Sequence, residues 1–307
     1  MGSIQRTIIE KINLSKLRHL FYWNGKGRPP FDRVALISRL LLMWLFPSIH
    51  SYEDLEWFLC RNKFWARKCG FDTKKKTPDG TTFCKFLNSL DDRTLDIINA
   101  ALVSELVRIG IIKGNAWSMD STIIEAFPKD RDATWGYKDE NTLMFGYKIH
   151  MIVCAESQLP LMTLVTPANE SDFTWAIPLM SRTLTPFGNI PKYIIADKGY
   201  DSREIREYIQ GISRSTKDII PQREFTDLQP IYSANWKKIY KKRTTAERVW
   251  NIFKNLLNLG NLRVRGLQRV TRLVKFVCIC VLIVALAAYY CGKVSDYRKI
   301  KNFKKII

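Results

Sequence analysis

Three carboxylates in this 307-residue chain sit where solubility alone does not explain an acid. Asp120 follows Trp117-Ser-Met. Asp197 follows Tyr193-Ile-Ile-Ala and precedes Lys-Gly-Tyr-Asp-Ser. Glu247 is the sole acidic residue between Asp227 and Asp296, in a segment crowded with bases. A set of oxygen ligands suits Mg²⁺ or Mn²⁺, with waters and substrate phosphate completing the shell. Two such ions about 3.5–4 Å apart activate an attacking oxygen and stabilise a leaving one in phosphodiester chemistry. Each acid also has a plainer reading. Asp120 and Asp197 suit a turn or helix cap, and Thr244-Thr-Ala-Glu247 has the spacing of a capping box.

The bases around Glu247 bear on that choice. Tyr240, Arg243 and Lys254 flank it. Val249, Ile252, Phe253, Leu256 and Leu257 form one apolar stripe at helical spacing, which leaves Glu247, Asn251, Lys254 and Asn258 together on the opposite face. That face suits either solvent or a site contacting phosphate and metal. Arg263, Arg265, Arg269 and Arg272 continue the basic run as a solvated face or a DNA-backbone track. Net charge is +20, and residues 221–307 hold 19 Lys+Arg against 4 Asp+Glu. Charge so concentrated points to a polyanion, nucleic acid or an anionic membrane surface.

Other chemistry has little support. The three histidines, at 19, 50 and 150, form no zinc motif. Seven cysteines without a Cys-x-x-Cys pair fit reduced thiols better than a disulfide framework, which suggests the cytosol. Met1 to Leu20 lacks the long apolar core of a signal peptide. The 16-residue apolar run Phe276–Cys291 is shorter than the roughly 20 residues of a membrane span, so a buried helix is expected. His150 reads as structural, and Asp172 and Asp201 as caps.

These residues need elements to position them. Residues 1–113 read as helical: Arg33–Phe46 ended by Pro47, a helix through Cys60 opened by the capping box Ser51-Tyr-Glu-Asp54, a short helix over Thr81–Leu90 and a longer one over Asp91–Ile109. Short helices with tight turns suit a helix-turn-helix DNA reader or any small bundle. Strands are expected at Ala116–Asp120, Phe145–Cys154, Leu161–Thr166, Tyr193–Ala196 and Asp218–Pro221. Helices are expected over Asp172–Leu184 and Ser202–Gln210 and from about Thr244. Three strands, then strands alternating with helices, predict an α/β fold with a mixed sheet covered by helices. Asp120 and Asp197 would each end a strand, where sites in α/β sheets commonly lie.

The chain resembles the DDE transposases of prokaryotic insertion sequences. Tyr240, Arg243, Glu247 and Lys254 meet the Tyr-x2-Arg-x3-Glu-x6-Lys spacing of one branch. Asp197-Lys-Gly-Tyr-Asp-Ser202 resembles the motif of the second acid, and Asp120-Ser-Thr122 that of the first. Gly146-Tyr-Lys-Ile-His150, Thr166-Pro-Ala-Asn-Glu-Ser-Asp172 and Thr77-Pro-Asp-Gly-Thr-Thr-Phe83 are similar to further family segments. The resemblance implies a ribonuclease-H-like catalytic domain over 114–292, a helical DNA-binding domain over 1–113 and a basic tail over 293–307. It implies that Asp120, Asp197 and Glu247 hold Mg²⁺ or Mn²⁺, two ions in all. Tyr240, Arg243, Lys254, Arg263 and Arg265 would contact DNA. The implied activity is cleavage at terminal inverted repeats and strand transfer to target DNA, by a homodimer on double-stranded DNA in the cytoplasm, associated with the nucleoid and with no membrane partner. Two rivals stay open: a non-catalytic DNA-binding protein of the same fold, and a basic membrane-associated protein anchored by residues 276–291.

Overall fold

The computed structural model describes residues 18–21, 25, 30–46, 48–72, 74, 76–139, 141–187, 190–223 and 232–300. Most of the Met1–Leu20 segment, Pro47 and residues 301–307 of the basic tail lie outside the described residues. The chain divides into two compact units, residues 1–98 with 279–307, and residues 99–278.

The first unit holds short helices α1 (Arg33–Leu45), α2 (Tyr52–Arg61), α3 (Lys63–Lys68) and α4 (Gly80–Ser89). The expected capping box forms. Ser51 Oγ accepts from Asp54 N at 3.0 Å, and Asp54 Oδ2 accepts from Ser51 N at 3.0 Å. Asp79 caps α4 by accepting from Thr82 N at 2.7 Å. Leu55, Leu59, Phe83 and Phe86 bury the apolar faces of α2 and α4. Helix α5 (Asp92–Arg108) follows, with Leu95, Ile98, Leu102 and Leu106 buried at the spacing that predicts it.

The second unit is built on one sheet. Its strands are β1 (Ala116–Glu125), β2 (Thr134–Asp139), β3 (Thr142–Cys154), β4 (Leu159–Pro167), β5 (Tyr193–Ile195) and β6 (Lys217–Ile219). The order is β2-β3-β1-β5-β6, with β4 also paired to β3. β1 is antiparallel to β3, β3 to β4, and β5 and β6 run parallel to β1. An antiparallel meander continued by parallel strands is the ribonuclease-H-like arrangement. β3 and β4 are buried along most of their length, as strands covered on both faces must be. Helices α6 (Asp172–Phe187) and α7 (Arg203–Ile212) connect the later strands. Ser202 caps α7, and Ile205 and Ile209 are buried one turn apart.

Three expectations are corrected. β1 does not stop at Asp120; Ser121 and Thr122 keep pairing with β3, and Ile123-Ile124 carry the strand on, so Asp120 is mid-strand. β2 was not expected, because Trp135 and Tyr137 alternate without burying an apolar face. The helix of the third acid does not open at Thr244. Helix α8 (Ala234–Tyr240) begins after the Ser233 cap and continues through a 3₁₀ turn (Lys241–Thr244) into α9 (Thr245–Asn251). Thr244 therefore has helical backbone angles and caps nothing with its side chain.

Helix α10 (Leu267–Tyr290) is long and apolar enough to cross a membrane, but 83% of its most apolar window is buried within the protein. Every residue from Phe276 to Ala288 is buried, as a core helix requires. This burial matches the buried helix expected over Phe276–Cys291 and leaves little apolar surface on it for lipid.

Candidate functional site

Strand register brings the first two acids together. Ala116, Trp117 and Ser118 of β1 pair with Tyr193, Ile194 and Ile195 of β5 in parallel. Two further steps along both chains lead to Asp120 and Asp197. β5 ends at Ile195, so Asp197 leaves the ladder and caps the 3₁₀ turn Lys198–Tyr200, accepting from Gly199 N at 2.8 Å. A Cβ on Gly199 would lie 2.9 Å from Asp197 Oδ1, so glycine there lets the carboxylate keep its position. Arg206 braces the turn from behind: it pairs with Asp201 at 2.7 Å and with Asp218, and Asp201 also accepts from Arg223 N at 2.7 Å. Asp201 closes the turn as its C-cap, its N–H donating to Lys198 O, and its side chain is an ion-pair partner.

Asp120 Oδ2 accepts from Trp250 Nε1 at 3.1 Å. Burial pushes the Asp120 carboxyl up to about 6. The hydrogen bonds from Trp250 and from Ser121 N oppose that rise, and the charge of Asp197 adds to it. The two carboxylates therefore feel each other.

Helix α9 supplies the rest. Ser118 Oγ donates to Arg243 O at 3.1 Å, which pins the start of α9 to β1. Arg243 Nη2 donates to Glu247 Oε1 at 3.0 Å; the Glu247 side chain is 53% exposed and lies one turn before Trp250. Tyr240 stacks on Trp236 with ring centres 4.9 Å apart, and Trp236 stacks on Tyr232 at 3.9 Å. Burial, together with Asp197, raises the Tyr240 phenol, and nearby Arg243 opposes that rise.

After Asn251 the helix widens into a π turn (Ile252–Leu256), closed by Leu257 N donating to Ile252 O at 2.9 Å. Such turns recur at functional sites. Past this point 100° per residue no longer applies, and the expected polar face breaks up. Asn251 and Asn258 are exposed, but Lys254 turns inward. Its Nζ donates to Thr122 Oγ1 at 2.6 Å and to Ile123 O at 3.2 Å, two and three residues beyond Asp120. Burial lowers the Lys254 ammonium, with Lys138 adding to the effect.

Arg263 and Arg265 are exposed. The Arg265 guanidinium lies 5.1 Å from the Phe127 ring centre. The chain just beyond is tied down: Gly266 N and Leu267 N donate to Asp130 and Asp132, each at 2.9 Å.

Asp120, Asp197, Arg243 and Lys254 thus gather on one side of β1. Among the described residues no three His, Cys, Asp or Glu stand close enough to hold an ion together. Asp120 and Asp197 fit a divalent cation as neighbouring carboxylates, one of them destabilised by burial. The third acid is held by Arg243. Trp250 went unrecognised as a site residue, although it stands three positions after Glu247 and so one turn away. Asp172 opens α6, and its carboxylate ties that helix to the sheet. It accepts from Ser121 Oγ at 2.8 Å and Lys148 Nζ at 3.2 Å. His150 is buried and bonded to Thr166 Oγ1 at 3.0 Å, and burial lowers it to about 4. It pairs with Ser121, so strand alternation puts it on the face opposite Asp120.

A ribonuclease-H-like sheet, with one acid on its central strand and a second just past the end of the neighbouring parallel strand, defines the class of the protein. The family model described as "Transposase DDE domain" matches residues 114–283, and the one described as "Transposase domain (DUF772)" matches residues 2–89. The chain belongs to the DDE-domain transposases of insertion-sequence type. Among solved structures it is similar to one described as a piggyBac transposase synaptic complex with hairpin DNA, at 10% identity and a TM-score of 0.46, covering 98% of this chain and 77% of that one.

Proposed function

We propose that this transposase cleaves DNA at the terminal inverted repeats of its element and transfers the freed strand to target DNA, using Asp120, Asp197 and Glu247. The parallel register that sets Asp120 beside Asp197 carries this reading. Bound Mg²⁺ or Mn²⁺, two ions in the full site, would supply charge neutralisation at the phosphate and activation of the attacking oxygen. The chain's own residues do the rest. Trp250 fixes the orientation of the Asp120 carboxylate through Oδ2. The Gly199 turn aims Asp197. Arg243 transfers its guanidinium from Glu247 to a backbone phosphate, which releases Glu247 as the third ligand. Lys254 holds β1 in place at Thr122 and adds positive charge beside the scissile phosphate.

Tyr240, Arg263 and Arg265 extend the DNA contact away from the acids. The helical N-terminal region, matched by the second transposase model, is the candidate reader of the repeats. Two ends must be held together, so a homodimer on DNA in the cytoplasm is the working assembly. The test is a Mg²⁺-dependent nicking and strand-transfer assay on DNA carrying the element's own ends. Nicking by the wild type and none by Asp197→Asn supports the reading. Equal rates from both would sink it, and binding without nicking by the wild type would favour the non-catalytic rival.

A further inference from the structure

The β2–β3 ribbon presents an apolar surface to solvent. Trp135 pairs with Phe145 and Tyr137 with Leu143, so the four side chains share one face. Trp135 is 64% exposed, Tyr137 69% and Leu143 52%, and the Trp135 and Phe145 rings lie 5.6 Å apart. Exposed aromatics grouped in this way mark an interaction site more often than scattered ones do. The other face is fixed. A Cβ on Gly136 would lie 2.2 Å from Ala168 O, so the ribbon sits tightly on that segment and cannot turn over.

The direction of the aromatic face follows from register. Along β3, Phe145 shares its face with Tyr147, Ile149 and Met151. Ile149 pairs with Thr122 and Met151 with Asp120. The ribbon therefore continues the sheet face that carries Asp120 and the Lys254 contact. β1 reaches the ribbon at Glu125, opposite Gly146, five residues beyond Asp120. Trp135 and Tyr137 stand opposite Phe145 and Leu143, six and eight residues along β3 from Met151, the partner of Asp120; at about 3.3 Å per residue that is roughly 20–26 Å, on the order of six to eight stacked bases.

Charge on this face bears on the occupant; exposed Asp139 pairs with Thr142 and so lies on the other face of the ribbon. Lys138 lies on the ribbon close enough to Lys254 to lower its pKa. Lys129 and Arg131 are exposed on the loop before it, whereas Asp130 and Asp132 there accept from the backbone of Gly266 and Leu267. Aromatic rings among bases suit nucleic acid: every nucleobase offers a π face, and the cations hold the phosphates.

We propose that Trp135 and Tyr137 form a stacking platform for unpaired DNA bases, on the same sheet face as Asp120 and about six to eight base steps away. The proposal rests on the reading of that face as the DNA-cutting site. It adds a preference for DNA with unpaired bases beside the duplex.

The test is binding without divalent metal, by fluorescence anisotropy. A duplex of about 30 base pairs is compared with the same duplex bearing a tail of about six thymidines, a length within the range of known single-strand sites. The wild type is expected to bind the tailed duplex about tenfold more tightly. Trp135→Ala/Tyr137→Ala is expected to lose that preference, keep its plain-duplex affinity and melt at the wild-type temperature, since both side chains are exposed. A wild type with no preference, or a double variant that keeps it, overturns the platform. So does a double variant that only loses self-association in sedimentation, which would assign the face to a second copy of the chain. Asp120→Asn should keep the preference, so failure of the catalytic assignment is read separately. Failure of the wild type to bind either duplex overturns the proposed function along with the platform.

Discussion

Trp250 donates its indole N–H to Asp120 at 3.1 Å, across 130 residues of chain. The bond joins α9, which carries Glu247, to the central strand of the sheet. Trp250→Phe keeps the ring and removes the donor, so the Asp120 carboxyl should titrate higher. The acid limb of a cleavage-rate profile should shift to higher pH, with DNA affinity unchanged. An unmoved limb would mean the indole only packs.

Asp120 also makes stability depend on pH in the metal-free protein. An ordinary Asp loses its proton near 3.8, and the folded chain holds this one to about 6. Between those values the folded state binds more protons than the unfolded state, so stability falls as pH rises through the window and stays lower above it. Asp120→Asn is neutral throughout. It should raise the melting temperature at pH 7.5, by at most about 3 kcal/mol in stability, and change little at pH 4. Equal melting of variant and wild type at pH 7.5 would contradict the raised carboxyl of half-buried Asp120.

The turn behind Asp197 gives a second handle on the site. Gly199→Ala places a methyl group 2.9 Å from Asp197 Oδ1, so the carboxylate must move. Cleavage should fall roughly 10- to 100-fold, since about 1 Å of misplacement costs that much. DNA binding measured without divalent metal should be unaffected. Asp197→Asn should lose cleavage and keep binding. Gel shift and nicking on the same samples separate the two effects.

Arg263→Ala/Arg265→Ala should weaken binding to all duplex sequences alike. The slope of log affinity against log salt should become shallower by about one to two. An unchanged slope would remove the basic run from the DNA track.

Much of the sheet was legible because burial leaves a pattern. β3 and β4 are apolar runs at strand length, and α7 buries Ile205 and Ile209 at helical spacing. Asp197 was legible for the same reason, standing directly after a short apolar strand. The errors came where backbone pairing, not burial, extends an element. Polar Ser121 and Thr122 stay in β1 because β3 supplies their partners, and β2 holds to β3 with most of its side chains exposed. The helix before Tyr240 was missed because its cap at Ser233 is eleven residues earlier than the stronger-looking Thr244 signal. The inward turn of Lys254 depends on a π turn that an α-helical wheel cannot represent. Trp250 was assigned no role because its partner is on a strand 130 residues away.

The Arg243–Glu247 ion pair has a thermodynamic consequence. While Arg243 occupies Glu247, the protein alone has two acids to offer a cation, and that cation should bind weakly. A DNA phosphate that takes Arg243 completes the ligand set, so DNA and metal each raise the other's affinity by the same factor. Mn²⁺ titrated with and without duplex should show that linkage, and Arg243→Ala should abolish it by leaving Glu247 free from the start. Such a chain would hold little metal away from DNA and would assemble its cutting centre only where there is a strand to cut.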